Sequence, residues 1–150
     1  MEKEKTCKIV FSDIDGTLLT SDGQITEGTK EMILNLEKKG IPFILTSARS
    51  PEGVRVIKRM LGNHAPIIAF CGGLILDDDG NEIYSKMIPL KRALELKAML
   101  DKDFPAVACN TFGGEKWIVD DRDDWREQRE EKIVGFPAEI GSIKDTFETE

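Results

Sequence analysis

The sequence predicts an α/β protein whose first half forms part of a parallel sheet covered by helices. Short apolar runs alternate with amphipathic segments of helical period, and each run is apolar at consecutive positions, as in buried parallel strands. Hydrophobic residues make up 40% of the 150 residues, which is enough to build a core. A length of 150 residues suits one domain or two small ones.

Three apolar runs predict the strands of this sheet: residues 7–11, 41–46 and 67–70. Two amphipathic segments lie between them. The first begins after a capping Thr26 and ends at Gly40, and the second begins after Ser50, with Pro51 at its first position, and ends at Gly62. Alternation of strands and helices predicts a parallel sheet with helices on both faces.

The pattern changes after the third strand. Residues 74–76 and 82–85 flank a turn-rich D-D-D-G-N segment and predict a hairpin. Further on, the sequence predicts helices and strands at residues 89–102 (helix), 106–110 (strand), 116–119 (strand) and 123–133 (helix). No element is predicted after Gly135. We therefore expect an α/β unit over residues 1–86 and a smaller α+β unit over residues 87–150.

Charge and composition limit the classes of partner. Lys and Arg total 21 against 28 Asp and Glu, and the net charge of −7 disfavours nucleic acid and anionic membranes as partners. The longest apolar stretch, residues 65–76, is shorter than the roughly 20 residues of a membrane span. The three cysteines form no C-x-x-C pair, which favours reduced thiols, and we expect a cytoplasmic protein.

Two carboxylates follow the first predicted strand. Asp13 and Asp15 are two positions apart and should point to the same side, at the edge of a parallel sheet where ligands bind. Adjacent anions favour a hard cation such as Mg²⁺ between them. Gly16 permits a sharp turn that would direct backbone N–H groups, including that of Thr17, toward a phosphate. The alternative is a strand-ending turn with two solvated acids.

The next two strands end in groups that suit the same ligand. Ser47 and Arg49 place a hydroxyl and a guanidinium after the second strand, and Gly72 and Gly73 permit close backbone approach after the third. Each of these residues alone is more often an ordinary surface or loop residue. Because the carboxyl ends of parallel strands meet at one edge, together they predict a phosphate-binding site.

The segment D-I-D-G-T-L-L at residues 13–19 resembles the first motif of the haloacid dehalogenase (HAD) superfamily, and S-A-R at residues 47–49 resembles its second. The resemblance implies that Asp13 is the nucleophile, that Asp15 is the general acid and base, and that Ser47 hydrogen-bonds the transferring phosphoryl group. An acid at position 15 favours a phosphatase over a dehalogenase, because the leaving oxygen needs a proton.

The order of the elements narrows the resemblance to Cof-type phosphatases, in which an α/β cap follows the second motif. This implies a HAD-like Rossmannoid core over residues 1–86 and a partial cap over residues 87–150, with Mg²⁺ as cofactor. The implied substrate is a small phosphorylated metabolite of the sugar phosphate or nucleotide type. Cys71 departs from the pattern, since relatives commonly have Asn before the glycine.

The third and fourth motifs of the family, a lysine and a pair of acids after the cap, find no match in this chain. Acids at residues 120, 121, 123 and 124 precede a charged segment and are expected to cap its helix. The sequence thus leaves an alternative open: a truncated chain or subunit that binds metal and phosphate and needs a partner chain. The first strand would then be an exposed sheet edge, which favours a homo-oligomer or a complementing chain.

Overall fold

The computed structural model describes residues 7–147. The chain divides into two compact units, unit 1 at Met1–Ser85 and unit 2 at Lys86–Glu150. In the described part of the chain, no helix has both the length and the apolar composition that crossing a membrane requires.

The described part of unit 1, residues 7–85, contains one five-stranded sheet and two α-helices. Its strands lie in sequential order, with β1, β2 and β3 parallel and β4 and β5 continuing as an antiparallel hairpin. The elements are β1 (Val10–Asp13), α1 (Glu27–Lys38), β2 (Phe43–Thr46), α2 (Pro51–Leu61), β3 (Ile67–Ala69), β4 (Leu74–Leu76) and β5 (Glu82–Ser85). The α/β fold class predicted from the sequence is confirmed.

The boundaries of the two helices follow from local capping. The Thr26 side chain accepts a hydrogen bond from the Thr29 N–H (3.2 Å), and the Ser50 hydroxyl accepts one from the Gly53 N–H (3.3 Å). At the end of α2, Gly62 adopts the left-handed conformation (φ 70°) that a glycine allows. These capping residues are the ones that the sequence predicts.

Both helices of unit 1 lie on the same face of the sheet, which corrects the expectation of helices on both faces. One apolar cluster joins α1 and α2 to the inward side chains of the strands, among them Phe43, Leu45 and Ile67. Strands that add in one direction with crossovers of one hand keep their connecting helices on one side. On the other face, Phe11 of β1 is 55% exposed.

Unit 2, in its described residues 86–147, contains a three-stranded sheet and three α-helices. Strand β7 is central, antiparallel to β6 and parallel to β8. The elements are α3 (Leu90–Asp103), β6 (Thr111–Gly113), β7 (Lys116–Val119), α4 (Trp125–Val134), β8 (Glu139–Ile140) and α5 (Ile143–Phe147). The buried Trp117 ring is stacked on Phe112 and meets Phe136 edge-on, each at 5.3 Å between ring centroids.

One prediction for unit 2 is wrong, and a region without a prediction contains two elements. Residues 106–110 are not a strand; the strand that pairs with β7 is β6, directly before the turn at Gly114 and Glu115. A strand and a short helix, β8 and α5, follow Gly135, where the sequence predicts no element. The two-residue strand β8 exists because β7 offers it a partner, and such pairing leaves almost no periodicity in the sequence.

Candidate active site

The two predicted carboxylates lie where β1 ends. Asp13 is the last residue of β1, and residues 14–18 form a wide turn closed by the Leu19 N–H, which donates to the Ile14 carbonyl (3.0 Å). Ile14 is fully buried, whereas Asp13 and Asp15 on either side of it are exposed. The buried isoleucine therefore anchors the turn and leaves both carboxylates at the surface.

The turn needs a glycine at position 16. Gly16 has a φ of +75°, and a Cβ at this position would meet no atom within 4 Å. The reason for glycine here is therefore backbone conformation and not crowding. Gly16 and Thr17 are both exposed, and their assignment to phosphate binding stays a prediction.

The register of the sheet brings the second motif beside the first. Asp13 pairs with Thr46 across β1 and β2, so Ser47 directly follows the residue opposite Asp13. The backbone of Ser47 is fixed by β3: its N–H donates to the Ile68 carbonyl (3.0 Å), and its carbonyl accepts from the Cys71 N–H (2.9 Å). The buried Ser47 hydroxyl accepts the Arg49 N–H (3.2 Å) and still has a hydrogen to donate.

Arg49 reaches from this loop to the first motif. Its Nε donates to Asp15 Oδ2 (2.9 Å) and its Nη2 donates to Asp15 Oδ1 (2.7 Å), which is the two-pronged geometry of a guanidinium on a carboxylate. The sequence predicts that Asp15 and Arg49 share one sheet edge, but it does not predict this pairing. The signal was present as two opposite charges after neighbouring parallel strands.

The turn that follows β3 has an unusual backbone conformation. Phe70 and Cys71 have positive φ values (50° and 54°), the only positive values among the described non-glycine residues. The Phe70 N–H donates to the Arg49 carbonyl (3.0 Å), so this turn holds both Ser47 and Arg49. Sequence reasoning pointed to Gly72 and Gly73 instead, since neither Phe nor Cys signals a left-handed conformation.

The acids that precede α4 act as caps and ion-pair partners. Asp124 accepts the Arg126 N–H (2.8 Å) at the start of α4, as expected, and the Arg126 guanidinium lowers the pKa of that carboxyl to about 2. Asp120 pairs with Lys97 (2.9 Å), and Asp121 accepts the Asp123 N–H (2.8 Å). These contacts give each of the three acids a structural role within unit 2.

The donor set at the β1 edge is a minimal one for a metal ion. Among residues 7–147, no group of three or more His, Cys, Asp or Glu side chains is placed to hold an ion. Mg²⁺, however, commonly takes one or two carboxylates and completes its shell with substrate phosphate and water. Two carboxylates of the first motif fit that requirement chemically.

Comparisons with known proteins identify the family. A family model described as haloacid dehalogenase-like hydrolase matches residues 10–148. A Haemophilus influenzae protein whose name classes it provisionally as a phosphatase is 36% identical over 124 residues, covering 77% of this chain and 47% of its own length. The chain thus spans less than half the length of this curated relative.

Solved structures agree on the fold. A haloacid dehalogenase-like hydrolase from Bacteroides thetaiotaomicron matches with a TM-score of 0.82 at 20% identity, covering 91% of this chain and 52% of that one. A haloacid dehalogenase-like hydrolase from B. subtilis matches with a TM-score of 0.76 at 21% identity, covering 94% and 56%. The chain belongs to the haloacid dehalogenase-like hydrolases, in the Cof-type group.

Proposed function

We propose that this chain carries the nucleophile and the general acid of a phosphatase that hydrolyses a small phosphomonoester. The observation that supports this most directly is the side-by-side arrangement of the two motifs, with Asp13 opposite Thr46 and Arg49 on Asp15. The family match over residues 10–148 supports the same chemistry. Because the chain spans only part of its relatives, the activity is a proposal for the protein as a whole.

The proposed reaction has two steps at Asp13. Its carboxylate attacks phosphorus in line and forms an aspartyl phosphate, while the bond to the substrate oxygen breaks and Asp15, protonated at this stage, gives that oxygen its proton and becomes a carboxylate. Water then attacks the aspartyl phosphate, and the Asp15 carboxylate takes the proton of that water, which restores both side chains. The exposure of both carboxylates suits a site that must admit substrate and water.

The phosphoryl oxygens would be held by the loops around Asp13. The Ser47 hydroxyl is fixed by its backbone contacts to β3 and retains a hydrogen to donate, and the N–H groups of Gly16 and Thr17 follow the turn. Asp13 and Asp15 are the residues that would hold Mg²⁺, which when bound supplies positive charge between the nucleophile and the phosphate. Each donor is thus assigned a place around one phosphoryl group.

Unit 2 is proposed to be part of the cap that selects the substrate. It follows the second motif in the chain and forms a compact unit of its own, with a separate small apolar core. We infer a sugar phosphate or nucleotide substrate of metabolite size. Free thiols at all three cysteines suit a reducing compartment, and we place the protein in the cytoplasm.

The test is hydrolysis of an aryl phosphate with Mg²⁺ by wild type, Asp13→Asn and Asp79→Asn. We expect Asp13→Asn to lower kcat by at least about 10³-fold, because it removes the nucleophile. Asp79 lies exposed in the β4–β5 turn, so Asp79→Asn is the matched control and should retain full activity. Equal activity in wild type and Asp13→Asn would contradict the assignment.

A second candidate function follows from the position of β1. In the described part of the chain β1 is an edge strand, and it exposes Phe11 (55%) beside Ile9 (42%). An apolar sheet edge favours pairing with another strand. We propose as the alternative that the chain binds metal and phosphate and is completed through β1 by a second copy or a complementing chain.

Sedimentation over a wide concentration range tests this alternative. We expect association that Phe11→Lys abolishes, because a charged side chain on an edge strand opposes pairing. Ile83→Lys on β5, whose side chain is comparably exposed (58%), is the matched control at the opposite edge. A monomer at all concentrations would exclude a second copy of this chain as the partner of β1.

A further inference from the structure

The Arg49–Asp15 ion pair joins two residues of very different exposure. The Arg49 side chain is 10% exposed, whereas the Asp15 side chain is 58% exposed. The guanidinium is therefore the fixed partner, surrounded by protein, and the carboxylate approaches it from the solvent side. A carboxylate with this exposure can leave without opening the core, whereas the arginine cannot.

Several contacts hold Arg49 in place. Its N–H donates to the Ser47 hydroxyl (3.2 Å), and its carbonyl accepts the Phe70 N–H (3.0 Å). Its stem lies against Gly53 in the first turn of α2, where an added Cβ would be 3.3 Å from Arg49 Cβ and 3.6 Å from Cδ. The glycine thus leaves the space that the arginine stem occupies.

A guanidinium recognises carboxylates and phosphates with the same pair of parallel N–H groups. The two donors that Arg49 directs to Asp15, Nε and Nη2, are the pair that would face a phosphoryl group. This pair of N–H groups, Nε and Nη2, is the fork of Arg49, and it cannot serve both acceptors fully at the same time. An incoming phosphate and the Asp15 carboxylate therefore compete for it.

We propose that Arg49 exchanges partners during the reaction, from the Asp15 carboxylate in the free protein to the phosphoryl group in the substrate complex. This inference rests on the proposed function and deepens it. Before substrate binds, the fork keeps the carboxylate turned toward the Ser47–Arg49 loop. When phosphate takes the fork, the Asp15 carboxylate loses both hydrogen bonds, takes up from solvent the proton that it later donates, and becomes free to rotate toward the leaving oxygen.

The exchange predicts a coupling between the two residues in the binding of inorganic phosphate, measured by titration calorimetry with Mg²⁺ present. Asp15→Asn removes the carboxylate that competes for Arg49 and should tighten phosphate binding. The gain in affinity should be about tenfold larger in the wild-type background than in an Arg49→Gln background. A coupling of this size is typical of residues in one ion-pair network. In the Arg49→Gln background the effects outside the fork remain, namely the loss of one negative charge and of one proposed Mg²⁺ ligand, and the two backgrounds share both effects. The difference between the two backgrounds isolates the competition for the fork.

Two further variants keep the test independent of folding. Arg49→Lys retains the charge but not the fork, and should also weaken the coupling. Arg59, which pairs with Glu52 on α2 and is 60% exposed, provides the matched control: Arg59→Gln should leave the coupling unchanged. Thermal unfolding of each variant checks that the fold is intact.

The outcomes separate this inference from the proposed function. Equal tightening by Asp15→Asn in both backgrounds overturns the exchange, as does a failure of every variant to bind phosphate. Aryl phosphate hydrolysis by the wild type without the coupling removes the exchange alone. Coupling without hydrolysis removes the proposed function and leaves the exchange in place.

Discussion

Unit 1 and unit 2 differ in where their carboxylates lie. Among the described residues of unit 1 the buried side chains are apolar or neutral, and the carboxylates of Asp13 and Asp15 lie exposed where β1 ends and in the turn that follows it. In unit 2 a carboxylate is inside: Glu127 is 2% exposed, and its Oε2 has no hydrogen-bond partner. Unit 1 thus combines an apolar interior with an accessible site, and unit 2 has in its interior a carboxyl group whose charged form is unfavourable.

The buried carboxylate of unit 2 belongs to a short polar network. Glu127 Oε1 accepts from Asn110 Nδ2 (3.3 Å), and Asn110 Oδ1 accepts from Trp117 Nε1 (2.7 Å). Burial raises the pKa of the Glu127 carboxyl, because the charged form loses its hydration. The two units therefore differ in packing, and we expect the free energy of unfolding of unit 2 to depend on the protonation of Glu127.

The largest expected effect is in the core of unit 1. Leu45→Ala should lower the free energy of unfolding by about 3 kcal/mol, because it leaves a cavity at a residue that is 1% exposed. Leu96→Ala on α3, where the side chain is 46% exposed, is the matched control and should change it by less than about 0.5 kcal/mol. Chemical denaturation followed by circular dichroism measures both.

The same variant tests whether the two units unfold separately. Both tryptophans, Trp117 and Trp125, lie in unit 2, so fluorescence reports that unit. If the two units unfold separately, Leu45→Ala shifts the circular dichroism transition more than the fluorescence transition. Identical shifts by both probes would show one cooperative transition and contradict separate unfolding.

A smaller effect is expected at Glu127. The pKa of the Glu127 carboxyl is higher in the folded state than in the unfolded state. Protonation of this group therefore contributes to the free energy of unfolding below the ordinary Glu pKa, and this contribution is lost as the pH rises through the raised value. Glu127→Gln should therefore raise the free energy of unfolding of unit 2 by about 1 kcal/mol at pH 8 and have little effect at pH 4. Tryptophan fluorescence across this pH range measures the difference.

Glu139→Gln on the exposed strand β8 is the control for Glu127→Gln. This control should leave the pH dependence of unit 2 unchanged, because Glu139 remains in water. A Glu127→Gln protein that loses stability at pH 8 would count against a destabilising buried charge.

The smallest expected effect concerns the strained turn of unit 1. Asn adopts the left-handed conformation more readily than Cys, so Cys71→Asn should raise the free energy of unfolding of unit 1 by about 0.5 to 1 kcal/mol. Cys71→Ala keeps the same backbone restriction and serves as the control, with no stabilisation. Equal stabilities of the two variants would argue that the turn stores no strain.

Much of unit 1 is predictable because its signals are local. A capping serine followed by Pro51, and a glycine after the last turn, fix α2 without reference to the rest of the chain. The apolar runs likewise reveal the parallel strands, and the positions of Asp13 and Ser47 after them predict a shared edge. The first strand nevertheless starts at Val10 instead of residue 7, since its length depends on pairing with β2.

The remaining features depend on contacts between distant segments. Strand β8 forms by pairing with β7, and the buried position of Glu127 arises from packing in a segment whose sequence reads as a charged surface helix. The Arg49–Asp15 pair likewise joins loops 34 residues apart. Helical or strand periodicity cannot report such contacts, because it describes neighbours along the chain only.

Detection of a phosphorylated Asp13 tests the central proposal most directly. With an aryl phosphate, whose leaving group needs little protonation, Asp15→Asn should still be phosphorylated but should lose the base that activates water. Mass spectrometry of quenched protein should therefore find a phosphoryl group on Asp13 in Asp15→Asn and none in the Asp13→Asn, Asp15→Asn double variant. An unmodified Asp13, or a phosphoryl group on another residue, would contradict the account.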